Sequence, residues 1–86
     1  MNPKHENFIE LLREQLQFPT YYVFKFIVKI DQKDEVIKLF NGAVHDEQPS
    51  KNGNYISLSS QMLMKTPEEI GEIYLKASLI KGVISL

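Results

Sequence analysis

Four polar side chains in two strand-like segments could together bind a small ligand. Lys25 lies in the segment from Thr20 to Ile30, and alternate positions of a later segment carry hydroxyls, at Tyr55, Ser57 and Ser59. If neighbouring strands present them on one face, an ammonium group and three hydroxyls converge. Such a set suits a small carboxylate, because the ammonium pairs with the anion and the hydroxyls complete its hydrogen bonds. The alternative is that Lys25 is solvated and the serines keep the face soluble.

No catalytic set of residues is recognisable beside them. The serines have no histidine in a position to activate them, no glycine-rich loop leads into a helix, and the sequence contains no cysteine. The two histidines, His5 and His45, are isolated and without cysteine partners, so they do not indicate a metal site. We therefore expect a protein that is not an enzyme and that uses neither cofactor nor metal.

Composition predicts one small globular domain. The chain has 86 residues, of which 43% are hydrophobic and 24% charged. A formal net charge of −1 gives no attraction to nucleic acid or to an anionic membrane. Apolar runs of signal-peptide or membrane-spanning length are absent. We expect a cytoplasmic protein that does not bind membranes.

An amphipathic helix is predicted before Phe18. Asn2-Pro3 can supply its cap and first helical residue, and Pro19 excludes Phe18 from the helix. Apolar residues recur at a spacing of three to four, at Phe8, Leu11, Leu12 and Leu16. Residues 1–17 are therefore an N-terminal helix, and residues 18–86 form the domain that follows.

The segment Thr20–Ile30 predicts a central strand. Its even positions are all apolar and predict the core face, with Tyr22, Phe24, Phe26, Val28 and Ile30. A short helix follows, capped by Asp31 or Asp34, with Val36, Ile37, Phe40 and Ala43 as its buried stripe and Asn41-Gly42 at its end. Val44 to Pro49 is a weak edge strand, polar and closed by a proline.

Asn52-Gly53 predicts a tight type I′ hairpin turn, which needs a positive φ at both residues. In the return strand from Tyr55 to Lys65, the predicted core side carries Ile56, Leu58, Ser60, Met62 and Met64. Thr66-Pro67 with Glu69 predicts the start of the last helix. Lys81 to Leu86 predicts a closing strand, with Ile84 and Leu86 facing inward.

This order of elements predicts an α+β fold. A leading helix followed by β-α-β-β-α-β is the pattern of a ferredoxin-like sandwich, with a four-stranded antiparallel sheet and two helices on one face. The other face stays uncovered unless the N-terminal helix or another subunit lies over it. Apolar residues expected there predict a homodimer, namely Tyr21, Val23, Ile27, Leu63 and Val83.

Several motifs resemble the YbeD-like family of small bacterial proteins. They are Phe18-Pro19, Lys25, the segment Ser50-x-x-Gly53-x-Tyr55-x-Ser57 and the closing Val83-Ile84-Ser85-Leu86. The resemblance covers about Phe18 to Leu86 and implies a ferredoxin-like fold similar to the amino-acid-binding regulatory domains called ACT. The family is often labelled a lipoic acid-binding regulatory protein, which implies a lipoate-like or amino-acid ligand. The chain differs in its longer first helix and in Thr20, where many relatives carry a cysteine.

Three functions remain open. A regulatory module would sense a small carboxylate through Lys25, Tyr55, Ser57 and Ser59, and an adaptor would act through a protein partner or a second copy. An RNA-binding sheet of the RRM type would stack bases on Tyr21 and Tyr55. RNA is the least favoured partner, because the chain lacks the basic surface that phosphate binding needs.

Overall fold

The computed structural model of this chain is an α+β ferredoxin-like sandwich, and it describes residues 3–85. Its antiparallel sheet has the strand order β2-β3-β1-β4, and the helices pack on one face. The predicted cap at Asn2 and the predicted inward residue Leu86 lie outside the described residues. In chain order the elements are α1 (Pro3–Gln15), β1 (Thr20–Lys29), α2 (Lys33–Leu39), β2 (Asp46–Pro49), β3 (Tyr55–Met64), α3 (Pro67–Ser78) and β4 (Ile84–Ser85).

The two long strands, β1 and β3, form the centre of the sheet. They pair along their whole length, from Thr20 opposite Met64 to Lys29 opposite Tyr55. Their even positions face the helices and include the most buried residues, among them Phe24, Phe26, Val28, Ile56 and Leu58. The predicted core faces of both strands are therefore confirmed. Ile30 is the exception, because it lies in a 3-10 turn (Ile30–Gln32) after the strand and is exposed.

Aromatic rings fill the space between the sheet and the helices. Phe26 stacks on Phe40 with ring centroids 5.6 Å apart, and the ring centroids of Phe24 and Tyr74 are 5.4 Å apart. Full burial of one such ring stabilises the fold by roughly 1.5–3 kcal/mol. Burial raises the pKa of the Tyr74 phenol, and its hydrogen bond with the Tyr22 hydroxyl, 3.1 Å away, raises that pKa further.

One polar side chain, that of Ser60, lies fully inside this core. Its hydroxyl donates a hydrogen bond to the backbone carbonyl of Ala43, so no buried polar atom is left unpaired there. Ala43 itself is exposed and does not extend the buried stripe of α2 as predicted. The bond instead ties the connection after α2 to β3.

α1 packs against α3, on the helical side of the sheet. Leu12 joins the main core, and the Phe8 ring meets Tyr74 at 5.4 Å, edge to face. Gly71 allows the helices to approach closely, since a Cβ placed there would lie 2.4 Å from the Ile9 Cδ1. The predicted stripe is wrong in one respect, because Leu11 is exposed and Ile9 is buried instead.

Arg13 and Glu68 link α1 to the start of α3. The Arg13 guanidinium donates to the Glu68 carboxylate at 2.5 Å. The pKa of Glu68 is lowered, first by a hydrogen bond from its own backbone N–H and then by Arg13. Both side chains are exposed, so the pair contributes little to stability.

The ends of α2 and α3 test the predicted caps. At the start of α2 the cap residue is Gln32, without a side-chain hydrogen bond, so neither Asp31 nor Asp34 caps the helix. Asp34 lies in the first turn, where a carboxylate is favoured by the helix dipole. At the other end, Asn41 and Gly42 both have positive φ, so the left-handed backbone lies at the predicted Asn41-Gly42 end of the helix. Thr66 forms the predicted capping box with Glu69.

The β2–β3 connection is longer than the predicted two-residue turn. The Ser50 N–H donates to the Tyr55 carbonyl, which leaves four residues, 51 to 54, in the loop. Gly53 has a φ of +75°, but Asn52 does not share a positive φ, so the type I′ prediction is wrong. The Gly53 N–H donates to the Ser50 carbonyl, which is the bond of an ordinary β-turn.

The closing strand β4 faces the opposite way from the prediction. It pairs with β1 at Ile27–Ile84 and Phe26–Ser85. Because paired residues lie on the same face, Ile84 shares the uncovered face with Ile27 and is 52% exposed. Val83, expected on that face, packs instead against the core.

Candidate functional site

The face of the sheet opposite the helices is the candidate functional surface, and we call it the open face. It carries the odd-numbered residues of β1 and β3. All four predicted ligand residues lie on it, namely Lys25, Tyr55, Ser57 and Ser59. Because α1 packs on α3, no described helix covers this face.

Strand register brings only part of the predicted site together. Lys25 lies directly opposite Ser59, and Ser57 lies diagonally, opposite Ile27. Tyr55 pairs with Lys29 at the end of the strands. It is four residues from Ser59, which corresponds to about 13 Å along an extended strand. Tyr55 is therefore too distant to share one small ligand with Lys25.

An acidic residue that the sequence reasoning missed lies in the same row. Asp46 of β2 is opposite Ser59 on the side away from Lys25. The row therefore reads Lys25, Ser59, Asp46, with the two charged residues about 10 Å apart at the backbone. A carboxylate ligand bound by Lys25 would lie near the Asp46 carboxylate, which carries the same negative charge. Asp46 belongs to the edge strand that the sequence predicts. Its position beside Ser59, however, depends on the register of β2 against β3.

Apolar side chains occupy one end of the open face. Tyr21 pairs with Leu63, and Val23 is the next outward residue of β1. They are 65%, 48% and 61% exposed respectively, which is unusual for three large apolar neighbours. We call this group the apolar patch. Beyond Lys25, the Ile27–Ile84 pair adds a second apolar contact area.

The motif residues Ser50, Asn52 and Gly53 build the hairpin loop. The Ser50 hydroxyl accepts from the Tyr55 N–H and donates to the Asn52 Oδ1, at 3.1 and 2.9 Å. Asn52 also accepts from the Asn54 N–H. The polar atoms of this motif are therefore used inside the loop, which accounts for the residue types without a ligand.

Both histidines have structural surroundings. The His45 Nδ1 accepts the Gln61 backbone N–H at 2.9 Å, beyond the end of β2. His5 lies against Gly71 in the contact between α1 and α3. Within residues 3–85, no group of three His, Asp or Glu side chains is placed to hold a metal ion. No helix of that stretch is long and apolar enough to cross a membrane.

Cavities lie away from the predicted ligand site. Residues 3–85 form five cavities whose linings contain neither Lys25, Ser57 nor Ser59. A cavity of about 400 Å³ reaches Tyr55 from the hairpin loop. Another, of about 290 Å³, lies on the helical side and is lined by Met62 and Met64. The predicted core role of this methionine pair is confirmed, but the pair also borders open space.

Residues 13–85 match the family described as a protein of unknown function, DUF493. The chain belongs to the DUF493 family. This is the family of the YbeD-like proteins, so the resemblance read from the motifs is confirmed. No curated protein and no solved structure matches the chain.

The DUF493 match covers every strand of the sheet. It begins at Arg13, the residue of α1 that contacts Glu68, and ends at Ser85 in β4. The apolar patch, the row through Ser59 and the hairpin loop all fall inside it. The first ten helical residues of α1 lie before it, including Phe8 and Ile9 of the contact with α3.

Proposed function

We propose that this DUF493 chain is a small regulatory module without enzymatic activity, which acts by association through its open face. The observation that carries the proposal is the apolar patch of Tyr21, Val23 and Leu63 on a surface that no described helix covers. Association removes such apolar side chains from water, which stabilises the complex. A flat, apolar face suits a protein partner better than a small molecule.

The partner that this face fits best is a second copy of the chain. Lys25 and Asp46 flank Ser59 in one row, on opposite sides. A two-fold axis along β3 would set Lys25 of each protomer against Asp46 of the partner subunit, as a self-complementary contact requires. The formal net charge of −1 adds little repulsion between copies.

Light scattering of the full chain tests this proposal. We expect the wild-type chain to be a dimer and Val23→Glu to be a monomer with an unchanged circular dichroism spectrum. Leu79→Glu is the matched control, because Leu79 is 85% exposed at the end of α3, away from the open face. It should remain a dimer. A wild-type monomer at high concentration, or equal effects of both substitutions, would exclude association through this face.

Sensing of a small carboxylate on the open face is the second candidate function. The direct pairing of Lys25 with Ser59 favours it. The nearness of Asp46 weakens it, because its carboxylate would repel a bound anion. Chemical-shift titration with lipoate, octanoate and an amino-acid panel tests it. Shifts at Lys25 and Ser59 that disappear in Lys25→Met are the expected result for this function.

RNA binding is the weakest of the three functions. Tyr21 and Tyr55 do share the open face, but their strand partners are Leu63 and Lys29, at opposite ends. Eight residues of extended strand separate their rows, or about 27 Å. Two rings that far apart do not stack adjacent bases. A short single-stranded RNA in the same titration supplies the comparison.

A further inference from the structure

The central strand β1 has neighbours on both sides along only part of its length. β3 pairs with all ten of its residues, whereas β4 pairs with it only at Ile27–Ile84 and Phe26–Ser85. Among residues 3–85, no strand lies beside residues 20–24 on the side away from β3. We call this stretch of β1 the free edge.

Tyr21 and Val23 direct their backbone polar groups outward from the free edge. Just after β1, the Ile30 N–H donates to the Asn54 carbonyl in the same register, so the even residues of β1 are the ones that bond to β3. The odd residues therefore direct their N–H and C=O groups to the other side. The Thr20 hydroxyl donates to the Tyr21 carbonyl. Within residues 3–85, the Tyr21 N–H and both backbone groups of Val23 have no partner.

β2, at the opposite edge of the sheet, is protected against pairing with another strand. It has four residues, carries Asp46 and Glu47 and ends at Pro49. The Ser50 N–H bonds to β3, so the odd positions of β2 point outward, and Pro49 has no N–H to present there. The free edge of β1 has none of these features. Its Tyr-Tyr-Val-Phe sequence combines aromatic and β-branched residues, which favour strand pairing.

Apolar surroundings lie on both sides of the free edge. On the open face, the side chains of Tyr21 and Val23 belong to the apolar patch. On the helical side, a cavity of about 280 Å³ lies between α3 and the end of β4, lined in part by Phe26, Tyr74 and Val83. Side chains of a strand alternate between the two faces of a sheet. An apolar strand beside β1 would therefore contact the patch with one set of side chains and this cavity with the other.

We infer that the free edge binds an extended, apolar segment of a partner protein, which adds to the sheet as a strand beside β1. Unpaired backbone donors and acceptors at every second residue are complementary to another extended backbone. The segment would exchange backbone hydrogen bonds with Val23 and accept one from the Tyr21 N–H. It would lie in the plane of the sheet, in line with β4. The proposed association of two copies uses the open face instead, so the two contacts are separate.

Amide hydrogen exchange of the full labelled chain tests this site. The probe is a short end-blocked peptide of alternating valine and threonine residues. In the chain alone, we expect rapid exchange at the Tyr21 and Val23 amides. With saturating peptide, both should exchange at least about tenfold more slowly, because a hydrogen-bonded amide is protected. The same peptide with a central proline should protect them less, since it lacks one donor.

Proline substitutions at the two edges provide the matched comparison. Val23→Pro removes an outward N–H without removing a bond to β3, and it should weaken peptide binding by about tenfold, the effect of one backbone hydrogen bond. Glu47→Pro makes the same change at an outward position of β2 and should leave the affinity unchanged. Val23→Thr keeps both the N–H and the shape of the side chain, so it should bind within about twofold of the wild-type value.

Leu63→Glu separates this site from the proposed association of two copies. It alters the apolar patch from β3 and leaves the free edge intact, so the peptide should still bind when association is lost. The inference fails if the peptide does not protect the Tyr21 and Val23 amides, or if Glu47→Pro weakens binding as much as Val23→Pro. Protection in the chain alone that rises with its concentration would assign the edge to a second copy. The exchange result in the wild-type chain decides the inference independently of how Val23→Pro folds.

Discussion

At the scale of single residues, β3 shows that the same residue type can have opposite roles three positions apart. Ser57 faces the open side and is half-buried, whereas Ser60 is fully buried and donates to the Ala43 carbonyl. Alternation along the strand assigns them to opposite faces. The difference comes from the carbonyl that Ser60 satisfies inside the core.

Alanine substitutions in β1 and β3 should therefore differ in their effect on the free energy of unfolding. Phe26→Ala should cost about 3–5 kcal/mol, as loss of a large core side chain. Ser60→Ala should cost about 1–3 kcal/mol, because it leaves the Ala43 carbonyl without its donor. Ser57→Ala should cost less than about 0.5 kcal/mol. Urea unfolding measures the free energy of unfolding of all three variants. A loss of stability in Ser57→Ala as large as that in Phe26→Ala would contradict the assignment of the strand faces.

At the scale of elements, the contact between α1 and α3 depends on Gly71. Ile9 and His5 occupy the space that a side chain at this position would need, and a Cβ there would lie 2.4 Å from the Ile9 Cδ1. Glycine otherwise weakens a helix by about 1 kcal/mol relative to alanine. The residue at position 71 thus lowers intrinsic helix stability but allows the close approach of α1.

The effect of Gly71→Ala should change sign with the residues at positions 5 and 9. In the wild-type background we expect a loss of about 1 kcal/mol, since overpacking outweighs the gain in helix propensity. In a background that carries both His5→Ala and Ile9→Ala the space is open, and Gly71→Ala should stabilise by about 1 kcal/mol. Urea unfolding of the four proteins gives the coupling energy. Equal effects in both backgrounds would show that these two side chains do not limit the approach.

The elements also show which features the sequence could predict. The alternation of β1 and β3 is a local pattern repeated over ten residues, so the core faces of these strands were predictable. The two-residue strand β4 has no such pattern, and a shift of one residue reverses its faces, as at Val83 and Ile84.

The candidate site was likewise predictable only where local alternation determines it. Alternation placed Lys25 and Ser59 on one face, but their direct pairing depends on the register between β1 and β3. The position of Asp46 depends in turn on the four-residue loop before β3, where a two-residue turn had been predicted. Register depends on turn length, and the Asn-Gly signal does not determine that length.

At the scale of the whole molecule, the sheet separates two surfaces with different chemistry. The open face presents the apolar patch and the row from Lys25 to Asp46. The helical side contains the cavity beside Met62 and Met64. Both surfaces use β3, with odd residues on one face and even residues on the other. A substitution on one surface can therefore leave the side chains of the other surface in place.

This separation predicts that substitutions on the two surfaces act differently. Val23→Ala should weaken the proposed dimer, since it removes apolar surface from the open face, whereas Met62→Ala should lower the free energy of unfolding and leave the dimer dissociation constant within about twofold of the wild-type value. Sedimentation equilibrium measures the dissociation constant, and urea unfolding measures the free energy of unfolding. A Met62→Ala protein that is folded but monomeric would instead place the interface on the helical side.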